Sequence, residues 1–465
     1  MKFFVAIENK EKLIKEVSES FGLDNEICKN KDKADILIYK EHNYIICKYT
    51  NTEIFKEKIE SDLIFKPSIL AIKRVLYRCL KYITNKDLKW GILNGIRPGK
   101  IVLKLLSLNK NFDEIERYFL ETLLVNQNKI DILMEVIKKE IEINKKLKNF
   151  SVYIHIPVCP TKCSYCSFYS IPLDKNDFDF DKYGQKICDE IDLTFQSFAK
   201  LKVDSIYFGG GTPSCLPVEQ IDNIFLKLRD KLIIDNNTEI SFEAGRPDQI
   251  NENLLECLKK NGVNRISLNT QTINNETLVK IGRKHNFKDF IDAFKMIKRY
   301  NFDSVNTDLI YGLHGENMDM FNKSIKTIVD LNFENITLHA LSLKTGSELK
   351  NKNKSNLYQY NWDMVDVYSM LKENGYFPYY LYRQKRSVGN LENIGFSKKG
   401  KECIYNSVMI EEMQSVFAFG AGGVSKYIDI SKNDFIRVEQ PKAIEKYYLK
   451  MTEITEEKRK LLEKL

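Results

Sequence analysis

The run Tyr153-Ile-His-Ile-Pro-Val-Cys-Pro-Thr-Lys-Cys-Ser-Tyr-Cys166 decides how this chain is read. Its opening residues belong to an apolar stretch, Val152–Ile156, that reads as a β-strand. The strand runs directly into a loop carrying Cys159, Cys163 and Cys166 at C-x3-C-x2-C spacing. Three thiolates on one short loop can hold three corners of a [4Fe–4S] cube, which leaves the fourth iron without a protein ligand. An open metal position is the mark of a site that does chemistry. Zinc is the competing reading, but it asks for a fourth Cys or His at short spacing. His155 lies four residues before Cys159, yet inside the strand.

Downstream of Ser151 the pattern alternates strand, loop and helix. Strands are expected at Val152–Ile156, Ser205–Gly209, Glu239–Glu243, Arg265–Asn269, Ser304–Leu309 and Ile336–Leu341. Helices are expected between them, at Lys182–Phe198, Val218–Lys231, Glu252–Asn261, Asn286–Tyr300 and Met318–Asp330. Six strands alternating with helices imply a parallel sheet with right-handed crossovers. The fold class is therefore α/β, a partial (β/α)6 barrel over residues 149–345. Residues 1–148 read as a separate α+β unit. Its strands are expected at Lys2–Ile7, Ala34–Tyr39 and Tyr44–Tyr49, and its helices at Ser68–Tyr82, Pro98–Leu106, Phe112–Leu124 and Lys129–Leu147. Residues 346–465 read as a mixed extension covering the substrate, with helices near 360–375 and 441–464.

The chain has 465 residues, 43% hydrophobic and 29% charged, with a net charge of +8. This composition is that of an ordinary globular protein. The positive excess is spread along the chain, whereas a nucleic-acid binder concentrates it in a stripe. No apolar run approaches the roughly 20 residues that span a bilayer. The short apolar start, interrupted by Glu8 and Lys10, is not a signal peptide. The expected location is cytoplasmic, with the ten cysteines reduced.

Barrel-like folds place their sites at the C-terminal ends of the strands. That geometry singles out Gly209-Gly-Gly-Thr-Pro-Ser214, Glu243, Gln271 and Asp308, with Arg283 shortly beyond the fourth strand. Glycines bring backbone close to a ligand. A carboxylate can accept from an ammonium group, Arg captures a carboxylate bidentately, and Asp can take both hydroxyls of a ribose. Together these residues make the clamp that S-adenosylmethionine needs beside an open cluster. Arg383, Lys385 and Arg386, beside Tyr379, Tyr380 and Tyr382, are candidate partners for substrate carboxylates. Arg97 and Lys100 flank Pro98 at an expected helix start, where an anion could sit.

With these residues in view, the chain resembles the radical S-adenosylmethionine superfamily. Tyr-x-His-Ile-Pro-x-Cys-x3-Cys-x-Tyr-Cys-x-Phe, Gly-Gly-Gly-Thr-Pro-Ser and Asp308-Leu-Ile-Tyr-Gly-Leu313 are similar to the oxygen-independent coproporphyrinogen III oxidase family. Glu243-Ala-Gly-Arg-Pro-Asp248, Tyr380-Leu-Tyr-Arg-Gln-Lys385 and Gly389-Asn-Leu-Glu-Asn-Ile-Gly395 resemble its HemZ-type branch. The resemblance implies a [4Fe–4S] cluster on Cys159, Cys163 and Cys166. It implies S-adenosylmethionine held by Tyr165, Gly210, Gly211, Thr212, Glu243, Gln271, Arg283 and Asp308, with Tyr153 and Glu243 next to the chemistry. The implied reaction is oxidative decarboxylation of coproporphyrinogen III to protoporphyrinogen IX by a 5′-deoxyadenosyl radical. Its partners would be a tetrapyrrole and a low-potential electron donor such as flavodoxin or ferredoxin. Three positions depart from the family pattern: Val158, Asn269 and Phe168, the last standing where the best-matched enzymes carry a fourth Cys. A haem-binding carrier of the same family is the alternative, with His42, His285, His314 and His339 as available ligands. A tetrapyrrole-modifying methyltransferase is another.

Overall fold

In the computed structural model, residues 1–49, 53–95, 97–342, 347, 362–429 and 434–465 are described. The expected boundary at 345/346, and residues 360–361 of the expected helix at 360–375, lie outside them. A helix occupies Val365–Glu373.

One large sheet organises the chain. Its strands are β1 (Phe150–Ile156), β2 (Leu201–Gly210), β3 (Glu239–Gly245), β4 (Arg265–Leu268), β5 (Ser304–Tyr311), β6 (Asn335–Ala340), β7 (Phe377–Arg383), β8 (Glu392–Ser397), β9 (Val416–Phe419), β10 (Val424–Asp429) and β11 (Asp434–Glu439). Their order across the sheet is β7-β8-β6-β5-β4-β3-β2-β1-β9-β10-β11. β1 to β6 are parallel and sit side by side in chain order. This is the six-unit α/β architecture expected. The last 90 residues extend both edges. β7 and β8 add antiparallel beyond β6, and β9 adds parallel beside β1.

Strand alternation builds two faces. On the outer face Phe208 packs on Phe225 of the helix Val218–Lys231, with ring centroids 4.8 Å apart. Burying one such ring contributes about 1.5–3 kcal/mol. Several crossover helices start on an asparagine cap: Asn251, Asn274, Asn286 and Asn317 each accept a backbone N–H of the first turn. The inner face carries Tyr153, Tyr207, Glu243, Asn306, Asp308, Thr337 and His339. Against it lies the helix Ile404–Glu411, whose N-terminal N–H groups at Ile404 and Tyr405 donate to Glu239 at 2.8 and 3.1 Å.

The N-terminal residues form a five-stranded sheet, in the order Glu26–Ile27, Lys2–Ala6, Ile36–Glu41, Tyr44–Tyr49 and Glu53–Lys58. Helices Glu11–Ser20, Pro67–Thr84, Pro98–Ser107 and Gln127–Asn144 accompany it. The expected helix at Phe112–Leu124 is α-helical only to Arg117 and continues as a π-turn over Tyr118–Thr122. The helix Glu11–Ser20 and the strands Glu26–Ile27 and Glu53–Lys58 were not anticipated. One hydrophobic core runs from Phe3 through Trp90 to the barrel strands. Lys129 Nζ bonds Glu392 Oε1 at 2.5 Å, and Trp90 Nε1 donates to Glu392 Oε2 at 2.7 Å, all buried.

Arg97 and Lys100 meet the protein's own acid. Both pair with Glu412, Arg97 at 3.3 Å, and Arg97 also donates to the Ile410 carbonyl at 2.8 Å. Close by, Glu140 and Glu411 are buried without a hydrogen-bond partner, among the described residues, on either carboxylate oxygen. Burial pushes Glu411 up to about 7, against the pull of Arg97 and Lys100. Burial and the neighbouring Glu411 carboxylate push Glu140 up as well. A raised carboxyl stabilises fully below its unfolded value of about 4.3 and loses that contribution as pH rises through the folded value. The urea midpoint is therefore expected to fall as pH rises from about 4.3 to about 7. Glu411→Gln should flatten that fall, and an equally steep fall in the variant would remove Glu411 as its source.

Candidate functional site

A cavity of about 400 Å³ opens at the C-terminal ends of the parallel strands. One wall is the cysteine loop, with Cys159, Tyr165, Cys166 and Phe168. Gly210, Gly211, Glu243, Gln271, Arg283 and Asp308 supply the middle. Tyr380, Tyr382 and the Ile404–Glu411 helix residues Asn406, Met409 and Ile410 complete it.

The loop is held from below by the glycines after β2. Gly211 N donates to Ile156 O, and Thr212 N donates to Val158 O, both at 2.7 Å. Gly210 has φ +111°, and a Cβ on Gly211 would lie 2.3 Å from the Val158 carbonyl oxygen. A side chain on Gly211 would push the cysteine loop away, and one on Gly210 would meet the His155 ring and the Ile156 carbonyl at the end of β1. The Thr212 hydroxyl donates to Cys159 Sγ at 3.4 Å. Burial raises the Cys159 thiol, while Thr212, Ser170 and Arg246 pull the other way.

The cysteine loop fits an iron–sulfur cube better than one zinc ion. His155 is engaged elsewhere, its Nδ1 2.6 Å from the Ala421 carbonyl. Among the described residues, no three His, Cys, Asp or Glu side chains close on a single metal ion. A cube meets its thiolates at separate corners, and only three cysteines stand on this loop.

Glu243 accepts from Tyr207 Oη at 2.5 Å. Burial first, and then the Asp308 carboxylate, raise Glu243 to about 7 against the Tyr207 and Gly210 hydrogen bonds and the nearby His339. Burial also raises Asp308, but His339, Asn306 and Thr337 outweigh it and hold Asp308 below its ordinary value. Asn306 Nδ2 donates to Asp308 Oδ1 at 2.9 Å, and His339 Nε2 is 3.7 Å from Oδ2. Gln271 sits in the left-handed region at φ +69°, where its N–H and C=O bridge to β5. Arg283 is buried; Nη1 donates to Asn269 O at 2.5 Å, Nη2 to Tyr165 Oη at 3.4 Å, and Nε has no partner among the described residues. A buried, unspent guanidinium donor beside two carboxylates and a glycine cradle is a fitting set for the two ends of an amino acid.

Other expected residues are placed differently. Tyr153 stacks on Tyr405 at 5.7 Å, behind the cavity wall. Arg383 does not face the cavity. A β-bulge between Pro378 and Tyr380 shifts the parity of β7. Tyr380 and Tyr382 turn inward and Arg383 turns outward, over the Trp90 ring at 5.0 Å, with Nη2 donating to Asn390 O at 2.7 Å. Lys385 and Arg386 pair with Glu16 and Glu19 of the N-terminal unit at 2.9 and 3.1 Å. The expected cation cluster for substrate is thus committed to internal contacts. Of the four histidines, His339 lines the cavity. His285 is buried beside the Arg283 segment, His314 is exposed, and His42 turns a hairpin at φ +52°.

One residue was missed. Arg246 is 3% exposed, and it donates to Thr161 Oγ1 at 3.1 Å and to Cys163 Sγ at 3.7 Å. The signal available was an Arg three residues after Glu243, just past a strand end.

The radical SAM superfamily profile matches residues 153–328. The oxygen-independent coproporphyrinogen-III oxidase-like protein HemZ of Bacillus subtilis is 34% identical over 90% of this chain and 86% of its own length. The chain belongs to the HemZ-like family of radical SAM proteins. Heme chaperone HemW of Lactococcus lactis is 30% identical over 58% of this chain and 68% of its own length. Coproporphyrinogen III oxidase, HemN, from Escherichia coli shares the fold at a TM-score of 0.51 and 19% identity, over 68% of this chain and 72% of that one. Radical SAM proteins use a [4Fe–4S] cluster and S-adenosylmethionine, and those are the cofactors of this family. Among the described residues no helix is long and apolar enough to cross a membrane.

Proposed function

We propose that this HemZ-like protein oxidatively decarboxylates coproporphyrinogen III without oxygen, forming protoporphyrinogen IX. The observation that carries the proposal is the convergence, in one cavity, of the cysteine loop with Glu243, Gln271, Arg283 and Asp308. A protein that only carried a ligand would have no use for a complete clamp aimed at an open cluster.

In this reading Cys159, Cys163 and Cys166 hold the cluster. Glu243 would accept from the ammonium of S-adenosylmethionine, Arg283 would take its carboxylate, and Asp308 would take its ribose hydroxyls. Gly210 and Gly211 would let the backbone approach it, and Tyr165 would serve its adenine end. When bound, that cofactor supplies the hydrogen-abstracting radical. In each round a propionate β-hydrogen would pass to the cofactor's adenosyl carbon, carbon dioxide would leave, and the remaining electron would pass to an external one-electron acceptor, so that a vinyl group remains. Two rounds complete the reaction. The cavity wall at Tyr380, Tyr382, His339 and Asn393 offers phenol, imidazole and amide groups to the tetrapyrrole.

The second reading is a haem carrier. Phe168 favours it, standing where a fourth Cys is expected in the decarboxylases, and so does the HemW resemblance. One assay separates the two: reduced protein, S-adenosylmethionine and coproporphyrinogen III are combined anaerobically and analysed by mass. The expected product is lighter by two carboxyl groups and forms together with 5′-deoxyadenosine. Stable one-to-one haem binding, with cofactor cleavage but no loss of carbon dioxide, would establish the carrier instead.

A further inference from the structure

We propose that an acidic, low-potential electron-transfer protein of the flavodoxin or ferredoxin class docks on the surface formed by Lys162, Val279, Lys280, Gly282 and Lys284, on the side of the cysteine loop away from the substrate cavity. The inference rests on the reading of the three cysteines as a cluster loop, and not on the identity of the substrate.

The cysteine loop has two sides. Cys159 and Cys166 face the cavity, whereas Cys163 does not line it. Instead, the Cys163 side of the loop is covered by the segment after the helix Asn275–Lys280. Ser164 N donates to Ile281 O at 3.1 Å, and Thr161 Oγ1 donates to Gly282 O at 3.3 Å. Gly282 is exposed, and a Cβ there would lie 3.5 Å from Lys162 O and 3.9 Å from Cys163 Cα. On this side the Gly282 backbone lies over the half-buried Cys163 main chain, while Arg246 reaches its Sγ. A donor seated here would approach the cluster without entering the space the substrate needs.

Charge defines the visitor. No Asp or Glu occurs in residues 157–173 or in residues 277–288, the two segments that meet here. Lys162, Lys280 and Lys284 are exposed, and none pairs with a carboxylate among the described residues. Val279, 75% exposed, adds an apolar contact among them. Exposed lysines raise the encounter rate of an anionic partner and make that rate salt-dependent. The transfer is one electron: the reduced donor is oxidised, the cluster is reduced, and no bond forms or breaks.

The test uses the reconstituted full-length protein and reduced flavodoxin, in rapid mixing at low salt, with bleaching of the cluster absorbance as the readout. Lys162→Glu/Lys280→Glu/Lys284→Glu should slow bleaching by about tenfold or more. The dissociation constant for flavodoxin, measured by calorimetry, should rise in step. Bleaching by dithionite should be unchanged, because a small reductant needs no docking surface. Reversing Lys29, Lys31 and Lys33 on the N-terminal unit changes net charge equally and should leave both rates alone. The milder Lys280→Gln/Lys284→Gln variant should show an intermediate loss with flavodoxin only. The proposal is overturned by an unchanged flavodoxin rate, by an equal loss in the Lys29/Lys31/Lys33 control, or by a matching loss with dithionite in both the reversed and the neutral variants. Wild-type protein that binds no iron would instead overturn the cluster reading beneath it.

Discussion

Replacing any one of Cys159, Cys163 or Cys166 with Ala should abolish cofactor cleavage, with the iron content of anaerobically reconstituted protein falling from about four per chain towards zero. The loop holds no fourth thiol that could take over. Cys215 is the next cysteine in the chain after Cys188, and both lie outside the loop, Cys188 on the helix Phe180–Phe195 and Cys215 in the short turn after Thr212. The clamp should behave differently. Asp308→Ala and Arg283→Ala should leave the cluster spectrum intact and weaken S-adenosylmethionine binding, since neither side chain is a thiolate of the loop. Iron analysis and a binding isotherm on the same preparations separate the two kinds of loss. Full iron binding in Cys163→Ala, or an unchanged dissociation constant in both clamp variants, would break the assignment.

The second large effect concerns stability. Glu392 is fully buried and receives Lys129 Nζ, Tyr368 Oη and Trp90 Nε1 at 2.5, 2.5 and 2.7 Å. Burial works against its charge, but Lys129, Tyr368 and Trp90 together hold its carboxyl below the ordinary range. Lys129→Met leaves that carboxylate buried without its counter-charge, a loss of about 3–5 kcal/mol. The urea midpoint should fall with little change in slope. Adding Glu392→Gln should recover part of the loss, because a neutral amide can still accept from Trp90 through its oxygen while its NH2 donates to the Tyr368 hydroxyl. Lys129 and Trp90 come from the N-terminal unit and Glu392 from β8, so this pair also ties the two together. A midpoint within experimental error of wild type would mean that water or a rearranged side chain replaces Lys129.

Several parts of this account are local, and local features are legible in a sequence. The C-x3-C-x2-C spacing is a property of one loop. The six βα units announce themselves through period-2 apolar runs and helix starts such as Asn286 and Asn317. Glu243 and Asp308 were found because a strand's last residues face the same mouth in any parallel barrel-like sheet. Arg283 stands beyond the helix Asn275–Lys280 that follows β4, and its expected place rests on the chemistry of carboxylate capture and on the family resemblance.

What the sequence by itself determined is thus the cluster loop, the parallel sheet and the residues at its mouth, all fixed by short-range spacing and side-chain alternation. Only the tertiary structure decided which cations are free. The bulge after Pro378 reverses the parity of β7 and sends Arg383 to Trp90 instead of the cavity. Arg386, in the left-handed region at φ +60°, turns with Lys385 toward Glu16 and Glu19, some 370 residues earlier in the chain. The same holds for the helix Ile404–Glu411, which reaches the inner face through Glu239, and for Arg246, drawn to Cys163. A one-residue bulge and a contact across hundreds of residues leave no periodic trace, because each depends on what the folded chain brings opposite.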